Sequence, residues 1–216
     1  MKNAKLIPAL LLALASFVTL NAQDATPTFQ QFLAQFPKAA LPYTFNAQDL
    51  QSQLETRPAT KAARLGWEYY QFLPELERSA AYSNMPVCPE PVASFETKEY
   101  TAVLYNLARG LSRGAKTYSI SVFTKDGTHV GTHFVAGVNP ETLTVATIDE
   151  TLRASVTEYQ VNWENNYRDN GHIGNKVTGL TLLISTTLEL TSVGNPDQLS
   201  WTSTDMGSSA ADLAKK

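Results

Sequence analysis

The sequence predicts an α+β protein in which short N-terminal helices pack on an antiparallel, twisted meander of about six strands. Apolar residues recur every three or four positions before residue 81, and after residue 92 they alternate with polar residues. The connections between the alternating segments are short, as in a meander. A partly closed barrel and a propeller-like sheet are both forms that this pattern allows.

Residues 1–22 have the three-part pattern of a cleaved secretory signal. Lys2 and Lys5 form a basic start, an apolar run follows from Leu6 to Val18, and Ala22 is a small residue suited to signal peptidase. The apolar run is shorter than the roughly 20 residues that cross a bilayer. We therefore expect export to the periplasm or beyond, no lipid anchor, and no transmembrane segment in the mature chain.

The composition of the chain argues against an intramolecular disulfide and against a nucleic-acid partner. Cys88 is the only cysteine, so no intramolecular disulfide can form. The formal net charge is -3, and loss of Lys2 and Lys5 with the signal makes the mature chain more negative. The nearest approach to a basic patch is the cluster of Arg109, Arg113 and Lys116. We expect no nucleic-acid partner, because such proteins carry a basic stripe over the contact face.

The first helix is predicted from a cap and an aromatic stripe. Thr26 and Pro27 are typical of a helix cap and its first turn. Apolar side chains then recur at helical spacing at Phe29, Phe32, Leu33 and Phe36, and Pro37 ends the run.

Two further helical segments are predicted before the chain changes period. One covers Ala47 to Glu55, and the other is a stripe of Leu65, Tyr69, Phe72 and Leu76 that Pro74 ends or kinks. Pro86, Pro89 and Pro91 exclude a helix or a central strand around them. Residues 81–92 are therefore the predicted boundary. The expected organisation is a signal at 1–22, a helical and irregular segment at 23–92, a β domain at 93–204 and a frayed tail at 205–216.

The β domain is predicted from six alternating segments rich in Thr, Val, Ile and Tyr. These are residues 98–108, 117–125, 128–138, 142–148, 151–163 and 177–191. Asp126-Gly127 lies between the second and third segments and is the strongest hairpin signal in the chain, because both turn residues must accept a positive φ. Asn170-Gly171 is a second turn of the same chemistry.

The chain resembles a diffuse group of secreted proteins of Gram-negative bacteria, notably Bacteroidota, that carry no assigned activity. The resemblance is carried by Phe36-Pro37 followed by Leu41-Pro42-Tyr43, and by the hairpin over residues 121–131. It covers about residues 28–190 and implies an origin, with no catalytic residue to carry over. Many members look like lipoproteins, whereas this chain has no cysteine at its cleavage site.

The most site-like region is residues 162–172, which combine aromatic, acidic and amide side chains. Aromatic faces can stack on sugar rings while amides and carboxylates bind hydroxyls, and the same set suits peptides or calcium. A calcium loop with Gly171 at its sixth position fails, because Arg168 and Val177 then stand where acids belong. The alternative is a polar turn with Trp163 in the core. The candidate ligand-binding residues are Trp163, Glu164, Asn166, Tyr167, Asp169 and His172.

Two catalytic alternatives are open. Glu158 with Glu164, or Glu164 with Asp169, could form the paired carboxylates of a glycosidase-like hydrolase. Residues 110–114 match the Gly-x-Ser-x-Gly motif, with Ser112 as nucleophile, His172 as base and Asp149 or Asp169 as acid. A strand directly follows this motif instead of the helix that an oxyanion hole needs, so a hairpin loop is the favoured interpretation.

The two histidines four residues apart do not predict a metal site. His129 and His133 fall in a strand, where four residues span about 13 Å, too far for one zinc ion. We interpret them as two exposed histidines on a solvated face, and we expect no metal and no cofactor.

The favoured function is a secreted, non-enzymatic binding or accessory protein whose partner is a glycan, a peptide or an envelope protein. It would meet this partner through residues 162–172 or along an exposed sheet face. A hydrolase with paired carboxylates and a structural envelope component are the alternatives. The sequence does not decide the ligand, the oligomeric state or whether the chain is an enzyme.

Overall fold

The protein was studied as a computed structural model, which describes residues 26–55, 64–76, 88–108, 116–171 and 174–192. The helical elements of this part are α1 (Phe29–Leu33), α2 (Ala47–Glu55), a 3-10 helix (Trp67–Phe72) and a short helix (Tyr167–Asn170). The strands are β1 (Tyr43–Thr44), β2 (Cys88–Glu96), β3 (Tyr100–Ala108), β4 (Lys116–Thr124), β5 (His129–Val138), β6 (Thr142–Ile148), β7 (Arg153–Trp163) and β8 (Val177–Glu189). The predicted signal at 1–22 and tail at 205–216 lie outside the described residues.

The strands form one antiparallel meander, as predicted. Strands β2 to β8 are neighbours in sequence order, and β1 pairs with β6 beside this path. The sheet has eight strands instead of about six, because the two-residue β1 and the proline-containing β2 both join it. It is also open: among the described strands, β2 pairs only with β3 and β8 only with β7, so the partly closed barrel and the propeller-like sheet are both wrong.

The pairing between β5 and β6 is short. These strands share only the pairs Gly137 with Thr144 and Val138 with Leu143. Further along β6, where β5 no longer pairs with it, β1 pairs with the same edge of β6, and Tyr43 lies opposite Ile148. The N-terminal part of the chain therefore completes the middle of the sheet.

The hairpin of β4 and β5 turns where it was predicted, but of Asp126 and Gly127 only Gly127 has a positive φ. The Gly127 amide donates to the Thr124 carbonyl at 3.0 Å, so the central residues of the turn are Lys125 and Asp126. Gly127 has a φ of 91°, which only glycine adopts without strain. A Cβ there would also lie 2.9 Å from the ring of Phe29, so the turn fits closely against α1. The Asp126 carboxylate accepts hydrogen bonds from the Thr124 hydroxyl and from Thr128, which lower its pKa.

Helix α1 begins two residues later than predicted. Its N-cap is Thr28, and not Thr26, because Thr28 and Gln31 cap each other reciprocally: Thr28 Oγ1 accepts from the Gln31 amide at 3.3 Å, and Gln31 Oε1 accepts from the Thr28 amide at 2.8 Å. The helix is five residues long, so Phe36 reaches the core from the turn that follows.

Of the two other predicted helical segments, one is an α-helix and the other contains a 3-10 helix. Helix α2 has the predicted bounds, Ala47–Glu55. The stripe from Leu65 to Leu76 forms a 3-10 helix at Trp67–Phe72, which ends before Pro74. Leu65, Leu73 and Leu76 are nonetheless buried, because the segment wraps over the sheet.

Hydrophobic clusters cover both faces of β3 and β4. Alternate residues of a strand face opposite sides, and Ala102 and Leu104 join the larger cluster while Val103 and Tyr105 join the smaller one. Helix α2 and Phe45 contribute to the larger cluster. The smaller one, here called the aromatic cluster, is built on the rings of Phe29, Phe32, Phe36, Tyr69, Phe72 and Phe123.

Candidate functional site

The predicted loop begins at Trp163, the last residue of β7. Its indole is half-buried against the larger hydrophobic cluster, and Nε1 donates to the Pro140 carbonyl at 2.7 Å. The ring of Tyr167 lies 6.4 Å from the indole, centroid to centroid. The structure therefore brings these two aromatic residues together. The hydrogen bond from the indole N–H fixes the orientation of Trp163.

An ion pair and a phenol hydrogen bond fix the outer side of this loop. Glu141 accepts a hydrogen bond from the Tyr167 hydroxyl, and the Arg168 guanidinium lies 3.1 Å from the same oxygen. The hydrogen bond from Tyr167, followed by that from Arg168, lowers the pKa of Glu141. Burial, followed by the hydrogen bond to Glu141, raises the pKa of Tyr167.

Amide side chains hold the inner side of the loop. Asn175 is buried, its Nδ2 donates to the carbonyls of Asn165 (2.7 Å) and Gly171 (3.2 Å), and its Oδ1 accepts from the Asn165 amide (3.2 Å). Asn166 caps the short helix by accepting from the Arg168 amide at 3.1 Å. Much of the polarity that made this stretch resemble a site is thus used to fold it.

The other predicted site residues lie at the surface or outside the described part of the chain, and among them Asn166 caps the short helix. Glu164, Asn166 and Asp169 are exposed, and His172 lies outside the described residues. Ligand binding by Trp163 and Tyr167 with these neighbours stays a prediction.

The first hypothetical carboxylate pair is not formed. Glu158 is only 3% exposed, while Glu164 is exposed and lies six residues further on, about 20 Å along an extended chain. Paired catalytic carboxylates stand about 5 to 9.5 Å apart. Asp149 is bound to its own turn through the Thr151 and Arg153 amides, and the Ser112 motif lies outside the described residues.

Glu158 is unusual in its own right. It is paired with Thr144 of β6 on one side and Ile184 of β8 on the other. Burial raises the pKa of its carboxyl, and no residue in the described ranges donates a hydrogen bond or an ion pair to it. Its side chain is therefore a partly desolvated acid without a protein partner in the described part of the chain.

The expectation of two exposed histidines on one face is wrong. A bulge between Val122 and Phe123 shifts the register, so His129 pairs with Phe123 and His133 with Ile120, on opposite faces of the sheet. Both are half-buried and both are bonded, His129 Nε2 to Thr132 at 2.9 Å and His133 Nε2 to the Ser192 carbonyl at 3.2 Å. Within the described ranges, no group of three or more His, Cys, Asp or Glu could hold a metal ion.

A polar network under the 3-10 segment was missed by sequence reasoning. The Tyr105 hydroxyl donates to Glu75 and lies 3.0 Å from Ser121 Oγ, which lies 2.8 Å from Thr132 Oγ1. Thr132 also donates to Glu75 at 3.3 Å, and His129 ends the chain. Burial and Glu75 raise the pKa of Tyr105. The available signal was the alternation that places Tyr105, Ser121 and Thr132 on one face.

The predicted basic cluster is only partly described. Lys116 lies 3.8 Å from Glu90, which also accepts a 2.7 Å hydrogen bond from the Asn106 side chain. Arg109 and Arg113 lie outside the described residues. No helix of the described part is long and apolar enough to cross a membrane.

The most accessible feature of the sheet is β8, an edge strand of 13 residues. Every residue from 181 to 187 is exposed, although β7 beside it alternates between buried and exposed positions. The exposed stretch contains an apolar triplet of Leu182, Leu183 and Ile184, which are 60%, 46% and 55% exposed. Composition does not predict this exposure, because Thr, Val, Leu and Ile also make up the buried strands.

Comparison of the chain with protein-family models, with curated proteins and with solved structures returned no match. Function is therefore inferred from the chain's own geometry.

Proposed function

We propose that this chain is a non-enzymatic binding protein that takes up an extended polypeptide segment along the free edge of β8. The observation that carries the proposal is the exposure of β8 on both faces together with an edge that no described residue pairs. An unpaired edge offers a row of N–H and C=O groups to an added strand, and neighbouring side chains give specificity. Of the expected partners, this favours the peptide or the envelope protein over the glycan.

The composition of β8 supports this function. From Val177 to Leu188 the strand contains no proline and no charged residue, two of the devices by which proteins prevent strand addition. The apolar triplet offers hydrophobic contact at its centre, and Thr and Ser side chains flank it. In this proposal the protein works after export, in keeping with the signal pattern of residues 1–22.

The proposal is tested with synthetic peptides. The probes are uncharged 11-residue peptides rich in Thr, Val and Leu, with a lysine at each end for solubility, and copies N-methylated at alternate residues. We expect the wild-type protein to bind the unmethylated probes and to lose binding to one methylated copy, because main-chain donors along one edge are then missing.

Variants locate the site. The double variant Leu182→Lys, Ile184→Lys should weaken binding at least tenfold, while Trp67→Lys, an equal change at a side chain that is 81% exposed on the helical segment, should not. Loss of binding in Trp163→Ala with normal binding in the double variant would place the site on the predicted loop instead. A wild-type protein that binds no probe would contradict the proposal.

A further inference from the structure

The central five residues of β8, 181–185, are nearly symmetric about the middle of the strand. The strand runs from residue 177 to residue 189, so Leu183 is its midpoint. If two copies of β8 lie antiparallel about this point, Leu182 of each copy faces Ile184 of the other. Thr181 then faces Ser185, and Leu183 faces Leu183. Each apolar side chain of the triplet meets another apolar one, and the hydroxyls of Thr181 and Ser185 meet, which are favourable cross-strand pairs. Further from the centre, Leu180 faces Thr186 and Thr178 faces Leu188.

Charge does not oppose this pairing. The chain is negative overall, with a formal net charge of -3, and most of its acids lie away from β8. Glu189 is the only charged residue of the strand; it forms a 2.6 Å ion pair with Arg153, and in the antiparallel arrangement it faces Val177 of the second copy. No like charges are therefore opposed along the edge, whereas a charged partner strand would find no counter-charge on β8.

The bulge at the centre of β8 also fits a symmetric partner. The register with β7 shifts between Glu158 and Tyr159, which leaves Leu183 as the additional residue, and again between Asn162 and Trp163, which leaves Thr178. A bulge increases the local twist of its strand, so a partner strand with the same twist fits it better than a flat one. A second copy has the same bulge at the same central position, so its local twist matches.

We infer that the strand taken up by β8 is β8 of a second copy of this chain, in an antiparallel pair centred on Leu183. This inference rests on the proposed function, since it names the partner of the same edge. Two strands of 13 residues meet over about 43 Å. A contact of one strand per copy falls near the lower end of specific interfaces, about 1,200 Å² in total, so we expect a dissociation constant on the order of micromolar.

The test is sedimentation equilibrium of the purified protein over a concentration series. We expect a reversible dimer. Leu182→Lys alone and Ile184→Glu alone should each weaken it at least tenfold, because each buries an uncompensated charge against an apolar residue of the other copy. The combined variant should recover dimerisation, because the introduced lysine of each copy would then face the introduced glutamate of the other. Trp67→Lys is the matched control and should leave the dimer unchanged.

Each other outcome overturns the inference in a distinguishable way. A wild-type monomer that still binds the strand peptides would exclude the second copy as partner and leave the proposed function standing. A monomer that binds no peptide would contradict both. A dimer that both single variants leave intact would place the contact between copies on another surface.

Discussion

The two edge strands of this sheet, β2 and β8, differ in whether other parts of the chain bind their outer edges. The outer edge of β2 is covered: Ser94 donates to the Pro37 carbonyl at 2.7 Å, Ala39 donates to the Ser94 carbonyl at 2.9 Å, and Leu65 donates to the Pro89 carbonyl at 2.8 Å. The edge also contains two prolines and a bulge after Pro91. The outer edge of β8 has no main-chain partner in the described part of the chain, and no proline.

Bulges occur in both edge strands, so the difference lies in the main-chain partners and the prolines, which the described part of the chain supplies to β2 and not to β8. The segments that cover β2 are held by the aromatic cluster, because Pro37 follows Phe36 and Leu65 is itself buried there. Nothing equivalent covers β8 among the described residues. We therefore attribute stability to the β2 side and its helical layer, and binding to the β8 side.

The largest effect should come from the layer that covers β2. Phe32 is fully buried, and its ring centroid lies 4.9 to 6.3 Å from those of five other aromatic rings. We expect Phe32→Ala to lower the free energy of unfolding by about 3–5 kcal/mol, because it removes these contacts and leaves a cavity. Urea unfolding measures this change. A loss below about 1 kcal/mol would show that the helical layer does not stabilise the sheet.

The polar network should give the next largest effect. Tyr105→Phe removes the hydroxyl that joins Glu75 to Ser121 beneath the segment over β2. We expect a loss of about 1–3 kcal/mol, the cost of leaving buried polar partners unsatisfied. Tyr43→Phe is the control, since no described residue hydrogen-bonds its hydroxyl, and should change stability by less than about 0.5 kcal/mol. Equal losses in the two variants would contradict this role.

Glu158 lies on β7 beside β8. Replacing it should raise the free energy of unfolding, whereas the two preceding substitutions should lower it. Burial raises the pKa of this carboxyl above its ordinary value near 4.5, so the folded protein binds the proton more tightly than the unfolded chain. The stability that protonation contributes is fully present below the unfolded pKa and is lost as the pH rises through the folded pKa. Glu158→Gln should therefore stabilise the protein at pH 7, by an amount on the order of 1 kcal/mol, and have little effect at pH 4.

The measurement is urea unfolding of both proteins across this pH range, with Glu164→Gln as the exposed control. A destabilised Glu158→Gln protein at pH 7 would show that the carboxylate has a partner in the folded state.

The smallest effect on unfolding should come from β8 itself. Ile184 is 55% exposed, so Ile184→Ala should change the unfolding free energy of the monomer by less than about 0.5 kcal/mol. The comparison with Phe32→Ala is best made in dilute protein by thermal and urea unfolding together. A loss comparable with that of Phe32→Ala would mean that β8 is covered in solution.

Local signals predicted most of the elements. Strand β6 has the predicted bounds, and the other five predicted strands differ by one or two residues at one or both ends, because alternation and turn chemistry are local properties. The covered strand β2 was not predicted, since Pro89 and Pro91 argue against a central strand and are tolerated only at an edge.

Properties that depend on register and on distant segments were not predictable. A single-residue bulge reverses the face of His129 relative to His133, and alternation alone cannot locate it. Glu75 and Tyr105 are 30 residues apart in sequence and meet only because the 3-10 segment lies over β3. The exposure of β8 follows from its place at the end of the sheet and not from its composition.

The most direct test of the central claim, that the edge of β8 is open in the monomer and filled by a strand, is residue-resolved amide hydrogen exchange against protein concentration. Amides of β8 that point away from β7 should exchange rapidly in dilute protein and become protected as the concentration rises through the dissociation constant. Amides of β4 should be equally protected throughout. Protection of the outer β8 amides at the lowest concentration, or fast exchange at every concentration and with saturating strand peptide, would contradict the account.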